Sequence, residues 1–419
     1  MNNLTAKQCN RMIEYIEKKK RGENVGEFVP DYPKSREEAE NWKYNYWDKQ
    51  PVSQLKDNNS LLNIINPNLH EEYSKMKQKE IPSYSWVTFD LNKEEDALAI
   101  CNFLNKNYRL GQDDKFRLFY TEKYLRWSLG EDHIITGIRA QTNNSIGAIV
   151  AGSIKKYQVF DKELMLGDLN YLCVHPKLCE KGLAPILGKE IMRRLCERAN
   201  ITIGSFTTVR YVPTPVCRTE FYHRPLNFEK LYNCDFVCLE NNMTLDRAVS
   251  THIVKYKDKY KTEKVTRENS MVVYSMFCGH QDKYNYYQKY SYEEFNREFV
   301  DNDVVDSFVM MDDKDKILDF FSYYKLPSLV VKNDQLINAV YMYMYTTLNV
   351  TILSVFKSAI LQAHNDMFDV LNCTDIMENS EILYDNFSRF KKGSGYLYYN
   401  FYNLTCPEMT PQQICKLTL

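Results

Sequence analysis

The chain has 419 residues, enough for two or three domains of ordinary size. Its 54 Lys and Arg almost cancel its 55 Asp and Glu, which excludes a protein built around a nucleic-acid backbone, where a clustered positive excess is needed. Hydrophobic residues at 44% exclude disorder as the dominant state, and 14 Gly and 13 Pro exclude a fibrous repeat.

In chain order, residues 1–60 read as an amphipathic or charged helical start, then a polar extended arm broken by Pro30, Pro33 and Pro51. The arm carries an aromatic run, WKYNYWDKQPV (42–52). From about 84 to 240 the pattern is α/β: a strand over 85–91, a helix over 94–108, a strand over 116–120 and a helix over 121–129 capped by Thr121. An antiparallel pair, 134–140 and 145–159, is joined by an Asn-Asn turn at 143–144. A strand over 164–176 leads to the clearest helix, 185–199. Pro185 falls in its first turn, and Ile186, Leu187, Ile191, Leu195 and Cys196 mark its buried face. A second half follows, with strands over 271–277, 306–313, 317–326 and 337–345, a helix over 351–366 and a strand over 395–404. Strands followed by a helix in each half hint at a duplicated unit.

Twelve cysteines run from Cys9 to Cys415 without a paired framework or zinc-ligand spacing, so they read as reduced, mostly buried thiols. No secretory leader opens the chain. The longest apolar stretch, 339–363, is interrupted by Lys357, Thr and Tyr and falls short of a membrane span. The 32 Tyr and 21 Phe fit either coding bias or a groove of flat amphipathic rings.

The unit with most chemical promise is the strand, loop and helix at 164–199. Gly182 and Ala184 lead into a helix N-terminus, where backbone N–H groups and the positive dipole end face an anion. Many strand–helix connections look like this.

The segment NYLCVHPKLCEKGLAPILGKEIMRR (170–194) resembles the acyl-CoA-binding segment of the glycylpeptide N-tetradecanoyltransferase (N-myristoyltransferase) family. Further blocks match in order: YNYWDKQPV (44–52), NYRLGQDDKFRLFY (107–120), FTTVRYVPTPV (206–216), FYHRPLN (221–227), DFFSYYKLPS (319–328), FDVLNCTDIMEN (368–379) and GSGYLYYNFYN (393–403). The resemblance spans about residue 25 to Leu419 and implies an α/β (α+β) fold of two tandem GNAT-like halves related by a pseudo-twofold. Residues 1–60 would be an arm covering the acyl-CoA, 61–240 the acyl-CoA half, and 241–419 the peptide half, ending in a catalytic C-terminus.

It also implies transfer of a tetradecanoyl group from CoA to the α-amine of an N-terminal glycine. Tetradecanoyl-CoA is then a co-substrate, with no permanently bound cofactor and no metal. The partners are glycine-starting peptides and proteins, and the enzyme is a cytoplasmic monomer without nucleic acid or a transmembrane segment. By resemblance the carboxylate of Leu419 is the base, Asn170 and Thr207 guide the amine, and the N–H groups of Tyr171 and Leu172 form the oxyanion hole. Acyl-CoA contacts fall on Asn45, Tyr46 and Trp47, on Tyr171 with Leu172, Cys173 and Val174, and on Glu180, Lys181, Gly182, Leu183 and Ala184. Peptide contacts fall on Tyr108, Asp113, Tyr120, Phe221, His223, Ser322 and Gly395, Asp113 reading a basic residue along the peptide.

The departures carry expectations too. Cys179-Glu180-Lys181-Gly182 stands where the family has a basic–Ser–Lys–basic phosphate loop, leaving Lys181, backbone N–H groups and Lys43 or Lys177 as support. Gly111 and Gln112 replace carboxylates beside Asp113 and Asp114, and Phe221 replaces a tyrosine. Weaker CoA affinity and an altered peptide preference follow. The rival reading is an idle acyl-CoA or lipopeptide-binding homologue, and a third is an acyltransferase with another chain length or a lysine acceptor.

Overall fold

In the computed structural model the described residues are Glu17, Lys20, Arg21, Pro33, 35–57, 59–109, 115–240, 242–383 and 388–417. The helical start expected over the first twenty residues therefore falls almost wholly outside them, as do Asp113, the 111–112 departure and Leu419.

Runs of apolar residues buried on both faces form the spine of the molecule, as expected of strands covered by helices on each side. Fourteen strands join into one mixed sheet. Those before residue 226 are β1 (Tyr84–Phe89), β2 (His133–Ala140), β3 (Ile146–Val159), β4 (Lys162–Val174), β5 (Gly204–Thr208) and β6 (Cys217–Pro225). The rest are β7 (Lys261–Lys264), β8 (Tyr286–Gln288), β9 (Val305–Met311), β10 (Ile317–Lys325), β11 (Ala339–Tyr345), β12 (Val370–Thr374), β13 (Lys391–Tyr402) and β14 (Ile414–Cys415). Their order is β14-β8-β3-β4-β5-β13-β6-β12-β11-β10-β9-β7, with β2 and then β1 added beside β3. The two halves exchange strands: β13, late in the chain, lies between β5 and β6, while β8 docks on β3 and β14 on β8. The C-terminal tail is thereby carried back into the first half.

Helices cover the faces: α1 (Leu69–Lys75), α2 (Glu94–Asn107), α3 (Glu122–Leu129), α4 (Leu183–Ala199), α5 (Ser270–Gln281), α6 (Tyr292–Phe299) and α7 (Ile352–Asn365). Acidic Glu94, Glu95 and Asp96 favour the N-terminal end of α2, and Thr121 caps α3 through a hydrogen bond from the Tyr124 N–H. On α4, Leu187, Ile191 and Leu195 are wholly buried, each worth about 1.5–3 kcal/mol. That helix lies directly on the sheet: a Cβ on Gly152 or Gly167 would meet Leu195 Cδ1 at 2.8 or 2.7 Å.

Most elements match the sequence reading to within a few residues, and the α/β (α+β) class holds. One assignment is corrected. The run MVVYSMF (271–277) is the body of helix α5, not a strand. A seven-residue apolar run satisfies either period, but burial of Val273, Phe277 and His280 at i, i+4 and i+7 is helical. Among the described residues no helix is long and apolar enough to cross a membrane.

Candidate functional site

The parallel strands β4 and β5 pair only at Gly167–Gly204 and Asp168–Ser205. Beyond that point β4 stays with β3, and β5 stays with β13, where Thr207 faces Tyr399. Asn170 and Thr207 thus sit on opposite walls of a split in the sheet. At the same level β4 bulges. Ile149 opposes Cys173 and Ala151 opposes Asn170, so Tyr171 and Leu172 together face the single residue Val150. Tyr171 has a φ of 55°, left-handed backbone that costs a tyrosine about 1 kcal/mol or more. A bulge of this kind takes backbone groups out of the ladder and re-aims them.

Packing holds the bulge in place. The Tyr171 ring lies 5.6 Å from that of Tyr120 and 6.5 Å from that of Tyr108, and its hydroxyl is 2.6 Å from Ser128 Oγ. Leu172 points outward and is 41% exposed. Cys173 is buried, which pushes its thiol up to about 12, so it is neither nucleophile nor metal ligand at neutral pH.

The tail runs beside this bulge. Strand β14 pairs in parallel with β8, matching Ile414 to Tyr286 and Cys415 to Tyr287. Cys415, Lys416 and Leu417 then line a small cavity of about 60 Å³ together with Asp168, Asn170 and Tyr171. Glu298 and Lys155 border the same cavity. Burial raises the Glu298 carboxyl, opposed by Lys155 and by a 2.6 Å hydrogen bond from the Tyr343 hydroxyl. Leu419, expected to carry the base, lies two residues beyond the last described position.

On the other side of the split the arm packs down. The Tyr44 hydroxyl donates to the Tyr211 carbonyl at 2.8 Å. Trp47 stacks on Phe206, the neighbour of Thr207, with ring centroids 5.5 Å apart and planes 7° from parallel. Asn45 and Tyr46 border a groove of about 670 Å³ that reaches Lys181, Gly182 and the first turn of α4. Gly182, at φ 65°, makes the turn into that helix; Leu183 behind it is buried and Ala184 half-buried. The expected supports Lys43 and Lys177 are not on the groove. Lys49, Lys77, Lys79 and Lys189 join Lys181 there instead, and among the described residues none of the five is ion-paired. These lysines come from the arm, the segment after α1 and the outer face of α4. Their convergence has no signature in any one stretch of sequence.

The remaining candidates divide. Phe221, His223 and Gly395 come together where β13 bulges against β6, between Lys392 and Tyr396. A Cβ on Gly395 would sit 3.2 Å from the Phe221 ring. His223 Nδ1 is 2.7 Å from Asn372 Oδ1, and burial lowers its pKa, partly opposed by that hydrogen bond. Ser322 is not part of this surface. It is wholly buried, and its hydroxyl donates to the Met344 carbonyl at 2.8 Å while accepting from the Met344 N–H at 3.1 Å. That bridge spans a register break between β10 and β11. Asp113 lies outside the described residues.

The split sheet and the lysine-bordered groove beside it can receive an extended anionic molecule, and similarity to known proteins shows the class of the enzyme, an acyltransferase. The profile of "Myristoyl-CoA:protein N-myristoyltransferase, N-terminal domain" matches residues 64–219, and that of the C-terminal domain matches 233–417. The chain is 31% identical over 390 residues to the glycylpeptide N-tetradecanoyltransferase of Drosophila melanogaster, covering 90% of this chain and 81% of that one. It is also 31% identical over 404 residues to the probable glycylpeptide N-tetradecanoyltransferase of Caenorhabditis elegans, covering 92% and 88%. The solved structure of Saccharomyces cerevisiae N-myristoyltransferase with bound myristoyl-CoA superposes with a TM-score of 0.81 at 25% identity, covering 88% of this chain and 94% of that one. The chain belongs to the myristoyl-CoA:protein N-myristoyltransferase family.

Proposed function

We propose that this acyltransferase, which moves a tetradecanoyl group from CoA to the α-amine of an N-terminal glycine, works by direct attack with its own C-terminal carboxylate as base. The amine lone pair adds to the thioester carbonyl carbon, the C–S bond breaks, and CoA leaves as its thiolate. The proton from the amine passes to the Leu419 carboxylate. The N–H groups of Tyr171 and Leu172 receive the carbonyl oxygen, where each donor would supply about 2.7–4 kcal/mol in the transition state. Asn170 and Thr207 hold the amine from the two walls of the split. The observation that carries this reading is the bulge at Tyr171–Leu172, lying where β4 and β5 part and beside the incoming tail.

In this reading residues 1–60 cover the acyl-CoA, 61–240 bind it and 241–419 bind the peptide. Tyr108 and Tyr120 border the groove, with Phe221, His223 and Gly395 further along it; Asn45, Tyr46 and Trp47 close over the thioester arm of CoA. Lys181 and its neighbouring lysines take the phosphates. A site completed by the chain's own tail needs no second copy, which favours a monomer. Eleven free cysteines among the described residues favour a reducing cytoplasm. The test is incubation with tetradecanoyl-CoA and matched Gly- and Ala-starting peptides, with product masses measured. Equal acylation of the Ala series overturns the glycine assignment, and full activity of an enzyme with an amidated C-terminus overturns the base.

A further inference from the structure

Lys416 is a lysine in an unusual place. It is 6% exposed, and its ammonium makes three short contacts: Asp168 Oδ1 at 2.5 Å, Ser205 Oγ at 3.0 Å and the Tyr286 hydroxyl at 3.1 Å. It also lies 4.6 Å from the Tyr157 ring centroid, close enough for cation–π attraction. Asp168 is 3% exposed, and its carboxylate accepts further hydrogen bonds from Ser205 Oγ at 2.7 Å and the Tyr157 hydroxyl at 3.2 Å. Both charges are therefore fully coordinated.

The partners of Lys416 are attached to the walls of the split. Asp168 precedes Asn170 by two residues on β4, and Ser205 precedes Thr207 by two on β5; residues two apart on a regular strand share a face. The third wall, β13, reaches the same residue: the Tyr399 hydroxyl donates to the Lys416 carbonyl at 2.8 Å, and Tyr399 is in register with Thr207. Asp168 and Ser205 are also the last pair before β4 and β5 diverge. One lysine thus ties the tail to every strand that carries a candidate catalytic group.

We infer that Lys416 is a positioning residue, its salt bridge to Asp168 fixing the register of the tail so that the terminal carboxylate reaches the amine. Leu419 lies three positions beyond Lys416 in the chain, within an extended reach of about 10 Å. A slip of one residue would move the carboxylate by roughly 3.3 Å and take the ammonium away from Asp168. A buried ion pair is a poor device for stability, since a well-packed apolar pair of similar volume often does as well, whereas fixing register is its best-attested use. The inference rests on the proposal that the Leu419 carboxylate is the base.

The test compares wild type, Lys416→Met, the apolar double variant Lys416→Met/Asp168→Leu, and wild type with an amidated C-terminus. Each is measured for thermal stability, for tetradecanoyl-CoA affinity by calorimetry, and for kcat with a Gly-starting peptide. Misplacing a reacting group by an ångström or more can cost about 10²-fold in rate. The double variant, which leaves no unpaired charge, is expected to melt near wild type and bind tetradecanoyl-CoA within twofold, with kcat lower by about 10²-fold. Lys416→Met alone, leaving Asp168 unpaired, is expected to lose both stability and kcat. A double variant with wild-type kcat overturns the positioning role while a slow amidated enzyme keeps the terminal base. An amidated enzyme as fast as wild type overturns both. A double variant that loses CoA affinity in proportion to kcat also overturns the inference, because a merely structural pair would behave in that way.

Discussion

Replacing Lys49, Lys77, Lys79 and Lys189 together by Gln should weaken tetradecanoyl-CoA binding and remove most of its salt dependence. The four side chains border the same groove as Lys181 and Gly182, and all are exposed. An exposed pair between a lysine and an anion contributes about 0.2–1 kcal/mol, so four at the middle of that range total about 2 kcal/mol, roughly 30-fold in Kd. Lys181 and the N-terminus of α4 remain, so binding should persist at the weaker level. Isothermal titration at 0.05 M salt measures the loss directly. The same titration at 1 M salt, where the screening length is about 3 Å, should bring variant and wild type together. The reasoning is refuted by a variant that binds as tightly as wild type at low salt, or by a loss that persists unchanged at 1 M salt. The first result would mean that the phosphates lie elsewhere. The second would mean that the substitutions damage packing instead of charge.

Trp47→Ala removes the stack on Phe206 and should raise the Kd for tetradecanoyl-CoA several-fold, since an aromatic pair is worth about 0.5–1.5 kcal/mol beyond its area; an unchanged calorimetric Kd counts against a covering arm. Gly393→Ala puts a Cβ 2.3 Å from His223 Nε2 and 3.3 Å from the Phe221 carbonyl, so the peptide KM should rise while CoA affinity holds. Equal KM values in steady-state kinetics would place the peptide away from this bulge. Burial, with Lys283 adding repulsion, holds His280 down to about 4, so the fold favours its neutral form. That contribution is full above pH 6.5 and is lost as pH falls from about 6.5 towards 4, amounting to about 2–3 kcal/mol by pH 4.5. Urea melts at pH 7.5 and 4.5 should show this loss in wild type and a smaller one in His280→Gln; an equal loss in both would assign the acid sensitivity to other groups.

Strands such as β3 and β11 were legible because long buried runs leave few alternatives, and α4 because its apolar residues repeat at helical spacing while Pro185 sits in the first turn. The run at 271–277 was not legible by composition, since Val, Tyr and Phe favour strands while the period of burial is helical. What decided it was tertiary: Phe277 packs into Phe295, Phe299 and Phe320, all wholly buried or nearly so, and only a helix presents Val273, Phe277 and His280 on one face. Strand exchange between halves was likewise invisible, because β13 finds its place between β5 and β6 through pairings that span most of the chain.

The site shows the same boundary between local and long-range information. Tyr171 and Leu172 could be located through the ordered blocks of family resemblance, yet the bulge they form is a property of the β3–β4 register and appears in no one-strand pattern. The ending QQICKLTL is apolar-leaning, and its one lysine is a residue type ordinarily found in solvent. Its counter-charge, Asp168, is 248 residues away, and neither residue is remarkable in its own segment. Burying that ammonium is tolerable because Asp168, Ser205 and Tyr286 surround it, each held by a strand of the sheet. The tail seats where β4 and β5 have paired at Asp168–Ser205 and then separated, which is also the geometry that opens the split. One structural event, the parting of two parallel strands, creates both the split between Asn170 and Thr207 and the polar niche that receives the lysine, so the docking of the tail and the opening of the split share one cause.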